Sequence, residues 1–274
     1  MIRPGLLLGV EDLDGLDAVL LDTRLSTAGP PGRAQYDAGH LPEAVYVDVD
    51  DDLAEAPGPG GRHPLPEPER FVAAMRRAGV RRDSTVVVYD GGPATAAARL
   101  WWLLRDYGHA DVLVLDGGLA AWAADGRPVS TEPVEPPAHG DWSGVPGHLR
   151  TVDDTDAAAL PTHGVLLDVR AAERFRGETE PIDPVAGHVP GAVNAPLTGN
   201  TDELGRFLSS DALRSRFGSL GVGGDAPVAA YCGSGVTACQ TILALRLIGL
   251  DAALYPGSWS GWIADPSRPV ATGS

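Results

Sequence analysis

Cysteine is nearly absent: the chain of 274 residues holds only two, Cys232 and Cys239. Two thiols cannot build the disulfide framework of a small secreted protein or a four-cysteine zinc site, so no metal is expected. Basic charge is scarce as well. Lys and Arg together number 21 against 37 Asp and Glu, a formal net charge of −16. No basic run offers a footprint for nucleic acid, and an anionic lipid surface repels such a chain. Long apolar runs are missing too. Nothing approaches the roughly 18 apolar residues of a membrane span. The opening stretch, MIRPGLLLGVEDLDG, lacks the pattern of a secretory leader. These absences point to the cytoplasm, with reduced thiols and with neither membrane nor nucleic acid as partner. Glycine and proline, at 35 and 24, are plentiful but spread along the chain, and 43% of residues are hydrophobic. That composition fits a globular protein with many turns.

The chain is written twice. Val19-Leu20-Leu21-Asp22-Thr23-Arg24 returns as Val165-Leu166-Leu167-Asp168-Val169-Arg170. Gly39-His40-Leu41-Pro42 returns as Gly187-His188-Val189-Pro190, and Val87-Val88-Tyr89-Asp90-Gly91 as Ala229-Ala230-Tyr231-Cys232-Gly233. A last block around Trp122 is echoed around Trp262. Four blocks in one order indicate duplication. Within each half, short apolar runs (85–89, 112–115, 165–167) alternate with helical patterns (68–78, 94–107, 236–248). Strands alternating with helices argue for an α/β fold with a parallel sheet in each half. The reading is two tandem domains, each a small parallel sheet flanked by helices. The first spans 1–127, a Pro-rich linker spans 128–147, and the second spans 148–274.

Duplication supplies an internal test. A residue in both halves serves the fold, whereas a residue in one half is a candidate for chemistry. Asp90-Gly91-Gly92-Pro93-Ala94-Thr95-Ala96 aligns without a gap to Cys232-Gly233-Ser234-Gly235-Val236-Thr237-Ala238. Each loop follows an apolar strand and opens a helix, where backbone N–H groups make an anion site. A cysteine there is favoured as the nucleophilic thiolate. Gly233 and Gly235 let the backbone curl around the sulfur. Asp90 cannot carry sulfur, so the first half should be inert. A cysteine phosphatase would need arginine at 238, where alanine stands. A dithiol redox motif would need cysteine at 235, where glycine stands. Cys239, in the following helix, reads as packing.

The loop Cys232 to Ala238 resembles that of the rhodanese superfamily, specifically its two-domain 3-mercaptopyruvate sulfurtransferases. The likeness extends to the Gly-His-x-Pro blocks and the inactive first domain. It implies a rhodanese-like fold in each half. It also implies sulfur transfer through a Cys232 persulfide, from a small anionic donor to a thiol, thioredoxin or cyanide, with no cofactor. Thiosulfate-preferring relatives commonly carry Arg and Lys where Gly233 and Ser234 stand, which favours 3-mercaptopyruvate as donor here. A thiosulfate sulfurtransferase is the alternative, as is a protein-to-protein persulfide carrier. Catalysis falls to Cys232 and Ser234, within the loop completed by Gly233, Gly235, Val236 and Thr237. The resemblance makes Arg174, in an Arg-Phe pair absent from the first half, the carboxylate-binding arginine. Arg176 is a weaker second. A further arginine often follows about nine residues later, where Ile182 and Asp183 stand here. In the family the serine works with a histidine and an aspartate from the first domain. His40 holds the histidine's motif position, although His188 repeats it, and no aspartate stands out.

Overall fold

The computed structural model describes residues 5–26 and 29–274. Short runs of Val, Leu and Ala form most of its strands, and the strand 85–89 runs into the Asp90-Gly91-Gly92-Pro93 turn. Two units make up the chain. One comprises Met1–Glu55, Pro66–Leu149 and Thr201–Phe207, and the other Ala56–Leu65, Arg150–Asn200 and Leu208–Ser274.

The first unit is built on five parallel strands: β1 (Leu7–Leu8), β2 (Ala18–Asp22), β3 (Val45–Tyr46), β4 (Thr85–Tyr89) and β5 (Val112–Leu115), in the order β1-β5-β4-β2-β3. Central β4 reads Thr-Val-Val-Val-Tyr and is buried from Val86 onward, as a parallel strand covered on both faces must be. The helix Ala97–Asp106 is buried all round except at Arg105. It starts later than the apolar pattern suggests, because residues 91–96 are wrapped around Asp90.

The second unit repeats this plan with four parallel strands: β6 (Val165–Asp168), β7 (Val193–Asn194), β8 (Val228–Tyr231) and β9 (Ala253–Leu254), in the order β7-β6-β8-β9. Its core gathers Leu166, Phe175, Val189, Tyr231, Trp259 and Trp262. Its buried helix is Ala238–Leu247. Among the described residues no helix is long and apolar enough to cross a membrane.

The repeated blocks do the same work twice. Arg24 pairs with Asp22 and donates to the Gly39 carbonyl (3.0 Å); Arg170 pairs with Asp168 and donates to the Gly187 carbonyl (2.7 Å). Trp122 Nε1 donates to Pro128 O (2.7 Å) and Trp262 Nε1 to Pro269 O (2.9 Å). Each pair anchors a strand end or a return loop from within a buried environment.

Two departures from the sequence reading concern boundaries. The Pro-rich stretch 128–147 is packed into the first unit rather than left as a tether. Trp142 is buried and stacks edge-on to Phe71 at 5.9 Å, and its backbone N–H donates to Val80 O (3.3 Å). Prolines suppress helix and strand, but an indole still seeks cover. Moreover, the division is not a single cut. Residues 56–65 belong to the second unit and 201–207 to the first.

Candidate active site

β8 delivers its last buried residue, Tyr231, directly into the loop 232–237. The Cys232 Sγ is almost fully enclosed and accepts from Gly235 N–H at 3.1 Å. Gly235 lies at φ +80°, and a Cβ on it would stand 2.5 Å from the Pro256 carbonyl, so only glycine fits this turn. The amides of Ser234, Val236 and Ala238 have no acceptor among the described residues. They remain able to bind a second atom beyond the sulfur.

A second loop fixes the first. Trp259 N donates to Cys232 O (3.0 Å) and Ser260 N to Gly233 O (2.9 Å). Cys232 N donates to Ser258 Oγ (3.1 Å), which in turn donates to Tyr255 O (3.0 Å). Ser258 sits at φ +51°, a left-handed conformation costing a side chain about 1–2 kcal/mol. Its two hydrogen bonds offset that strain. In the first unit the same register is held by Gly118 at φ +52°. The repeat comparison that singles out Cys232 therefore also singles out Ser258, had it been carried into the tryptophan block.

The charged groups come from two other segments of this unit. Arg174 ends the short helix Ala172–Phe175. Arg62 follows a tight Gly58–Gly61 turn, whose Gly61, at φ +106°, would drive a Cβ to 2.8 Å from the Gly257 carbonyl. Arg62 N is pinned to Ser260 Oγ at 3.0 Å. Both guanidinium groups converge on Gly233. A Cβ built there would lie 2.9 Å from Arg62 Nη2 and 3.7 Å from Arg174 Nη2. Glycine at 233 thus makes room for two cations beside the cysteine. Burial lowers the Arg62 pKa and the nearby Cys232 opposes that effect; a guanidinium remains charged regardless. Arg174 is held by Glu180 (Nε–Oε2 3.0 Å, Nη2–Oε1 2.6 Å). Asp183 pairs with both Arg62 and Arg174.

Next to Arg62, His63 places Nδ1 2.7 Å from the Ser234 hydroxyl. An imidazole at that distance can exchange a proton with the serine.

The structure therefore brings together Cys232, Ser234, the loop glycines and Arg174, and it adds Arg62 and His63, which the sequence reading missed. His40 is corrected. Its ring is buried, stacked on Tyr36 at 4.1 Å, with Nδ1 on the Tyr36 carbonyl (3.1 Å). His188 does likewise with Phe175 (3.6 Å between rings, Nδ1 to the carbonyl 2.7 Å). The repeated histidine braces a turn, and the histidine at Ser234 is His63. Arg176 is corrected as well. Its guanidinium is turned outward onto Glu178, with two bonds of 2.7 Å. Val236 and Thr237 complete the loop backbone, and Cys239 is buried with Sγ near Gly235 O (3.6 Å).

Signals for the missed pair existed. Gly61-Arg62-His63 has a partial echo in Gly205-Arg206-Phe207, where the histidine is the residue confined to one copy. Arginine occurs in both copies, so the uniqueness test would have passed over Arg62.

The family model for the rhodanese-like domain matches residues 10–125 and 153–265. The chain belongs to the rhodanese family. Both halves are rhodanese domains, and the cysteine loop is confined to the second. A Pseudomonas aeruginosa protein named for 3-mercaptopyruvate sulfurtransfer is 48% identical over 268 residues, covering 94% of this chain and 93% of that one. SseB of Mycobacterium tuberculosis, named for thiosulfate sulfurtransfer, is 42% identical, covering 93% and 91%. The crystal structure of the Escherichia coli 3-mercaptopyruvate sulfurtransferase SseA superimposes with a TM-score of 0.81 at 34% identity, covering 93% of this chain and 98% of that one. The relatives agree on sulfur transfer and their names divide on the donor.

Proposed function

We propose that this protein takes sulfur from 3-mercaptopyruvate onto Cys232 and passes it to a thiol, thioredoxin or cyanide. The convergence of Arg62 and Arg174 on Gly233 carries the reading. Two guanidinium groups beside the nucleophile suit a planar carboxylate, to which each can offer the N–H groups that Glu180 and Asp183 leave unengaged. With the carboxylate held there, the donor's sulfur faces the Cys232 Sγ. The thiolate attacks that sulfur and the carbon–sulfur bond breaks. The electron pair leaves as the enolate of pyruvate, whose methylene carbon takes a proton supplied through the Ser234 hydroxyl with His63 behind it. The outer sulfur of the persulfide sits against the amides of Ser234, Val236 and Ala238. An acceptor thiolate then attacks the outer sulfur, the sulfur–sulfur bond breaks, and the Cys232 thiolate returns.

Thiosulfate is the second reading, since its transfer would release sulfite and need no proton. The Ser234–His63 contact has no task in that reaction, which favours mercaptopyruvate. Comparison of kcat/KM for the two donors on one preparation tests the choice. Preference for mercaptopyruvate is the expected result, and preference for thiosulfate overturns it. Failure to turn over either small donor, with sulfur accepted only from another protein, would make the protein a persulfide carrier.

A further inference from the structure

The donor site contains its own anion. Asp183 is buried, its side chain only 3% exposed, and its two oxygens are divided between the arginines. Oδ1 pairs with Arg62 Nη1, and Oδ2 lies 3.1 Å from Arg174 Nη2. Its backbone N–H donates to Glu180 Oε1 at 3.1 Å, which fixes the main chain from which the carboxylate reaches both arginines. Glu180 spans the other edge of Arg174 and also reaches Arg170 at 3.4 Å, which is itself committed to Asp168. The charges therefore cancel. Arg62 and Arg174 are matched by Asp183 and Glu180, before the thiolate is counted.

We propose that Asp183 sets the charge of the donor, favouring a singly over a doubly charged anion at this site. The arginines supply directional N–H groups, and Asp183 removes most of the net positive potential that would reward a second negative charge. Coulomb attraction scales with the charge of the ligand, so any potential that Asp183 subtracts is felt twice by a dianion. This role rests on the mercaptopyruvate reading above and gives it a physical basis: geometry admits a carboxylate, and charge balance discriminates against thiosulfate.

The test uses the full chain and the isosteric Asp183→Asn, with Asp183→Glu as the charge-preserving control. Calorimetric titration with pyruvate and with sulfate measures binding of a monoanion and a dianion independently of turnover. Asp183→Asn should tighten pyruvate by about tenfold and sulfate by about a hundredfold, the square of the first factor. The ratio of thiosulfate to mercaptopyruvate kcat/KM should rise by about tenfold, and a ratio on one preparation is insensitive to loss of folded protein. Asp183→Glu should keep both ratios near those of the wild type. If Asp183→Asn weakens or tightens both anions equally, Asp183 merely orients the arginines and the proposal is overturned. A wild type that prefers thiosulfate would instead overturn the mercaptopyruvate reading, whatever the pyruvate and sulfate titrations show.

Discussion

The loops that follow β4 and β8 have the same backbone role and different occupants. In the first unit the Asp90 carboxylate fills the ring of amides: Oδ1 accepts from Gly92 N (2.9 Å) and Ala94 N (3.1 Å), Oδ2 from Ala96 N (2.9 Å) and Ala97 N (3.3 Å). In the second, Cys232 reaches only partway, and the corresponding amides of Ser234, Val236 and Ala238 are left for another atom. The supporting loop follows suit. Leu119 N donates to Asp90 O (2.9 Å) as Trp259 N does to Cys232 O. Gly118 stands where Ser258 stands. One unit thus shows the anion site satisfied by its own side chain, and the other shows it held open. The duplication has kept the receptacle and changed what sits in it.

The sharpest way to break this comparison is to exchange the occupants. Cys232→Ser should abolish sulfur transfer, while Cys239→Ser should keep most of it. Adding Asp90→Cys to Cys232→Ser should restore none, because the first loop has Gly92 in place of Ser234. Turnover assays check this, and intact-mass measurement after donor treatment should show a gain of about 32 Da on wild type and Cys239→Ser, and none on either variant that lacks Cys232.

Next in size is the histidine. His63→Phe, which copies Phe207, removes the group behind Ser234 and should lower kcat on mercaptopyruvate by about 10²–10⁴-fold. Thiosulfate turnover should fall much less, since its leaving group needs no proton. An equal loss on both donors would remove the proton role from His63.

The arginines come third. Arg62→Ala and Arg174→Ala should each lower kcat/KM on mercaptopyruvate by about 10- to 100-fold, mostly through KM, as expected for loss of a charge-assisted hydrogen bond of about 1.5–3 kcal/mol. Arg176→Ala, on the surface with Glu178, should stay within about twofold of wild type in the same assay.

The smallest effect is on stability alone. Asp90→Ala strips buried amides of their acceptor and should destabilise the chain by about 1–3 kcal/mol in urea unfolding. Cys232→Ser, which keeps an acceptor for Gly235, should cost less than about 1 kcal/mol. A reversed order would mean that the first loop does not depend on its carboxylate.

Local pattern carried much of this architecture. The strand at 85–89, the buried helices, the Asp-for-Cys exchange and the tryptophan anchors could all be read from apolar runs and from repetition. Arg62 and His63 could not be read that way. Their partners Ser260, Asp183 and Ser234 lie 198, 121 and 171 residues along the chain. Neither periodicity nor turn chemistry encodes a contact at such separations; residues 57–61 announce only a Pro-Gly turn. His40 stands out in the sequence because its Gly-His-x-Pro motif is visible. Its true task, stacking on Tyr36, emerges from packing. The opposite error befell the linker, where proline content concealed that Trp142 had a place in the core.

That residues 56–65 belong to the second unit, and 201–207 to the first, also governs the order of assembly. On a growing chain Arg62 and His63 emerge early, but Arg62 meets its hydroxyl partner only once Ser260 has been made. The first unit in turn waits for Phe207, whose N–H is received by Asp116 Oδ1 (2.8 Å). Neither unit can complete its contacts from one contiguous stretch, so each adds a chain-distant closure to its strand pairing, at an entropy cost that grows only slowly with separation. Release of a truncated chain ending near residue 200 would strand two incomplete domains rather than yield one finished one.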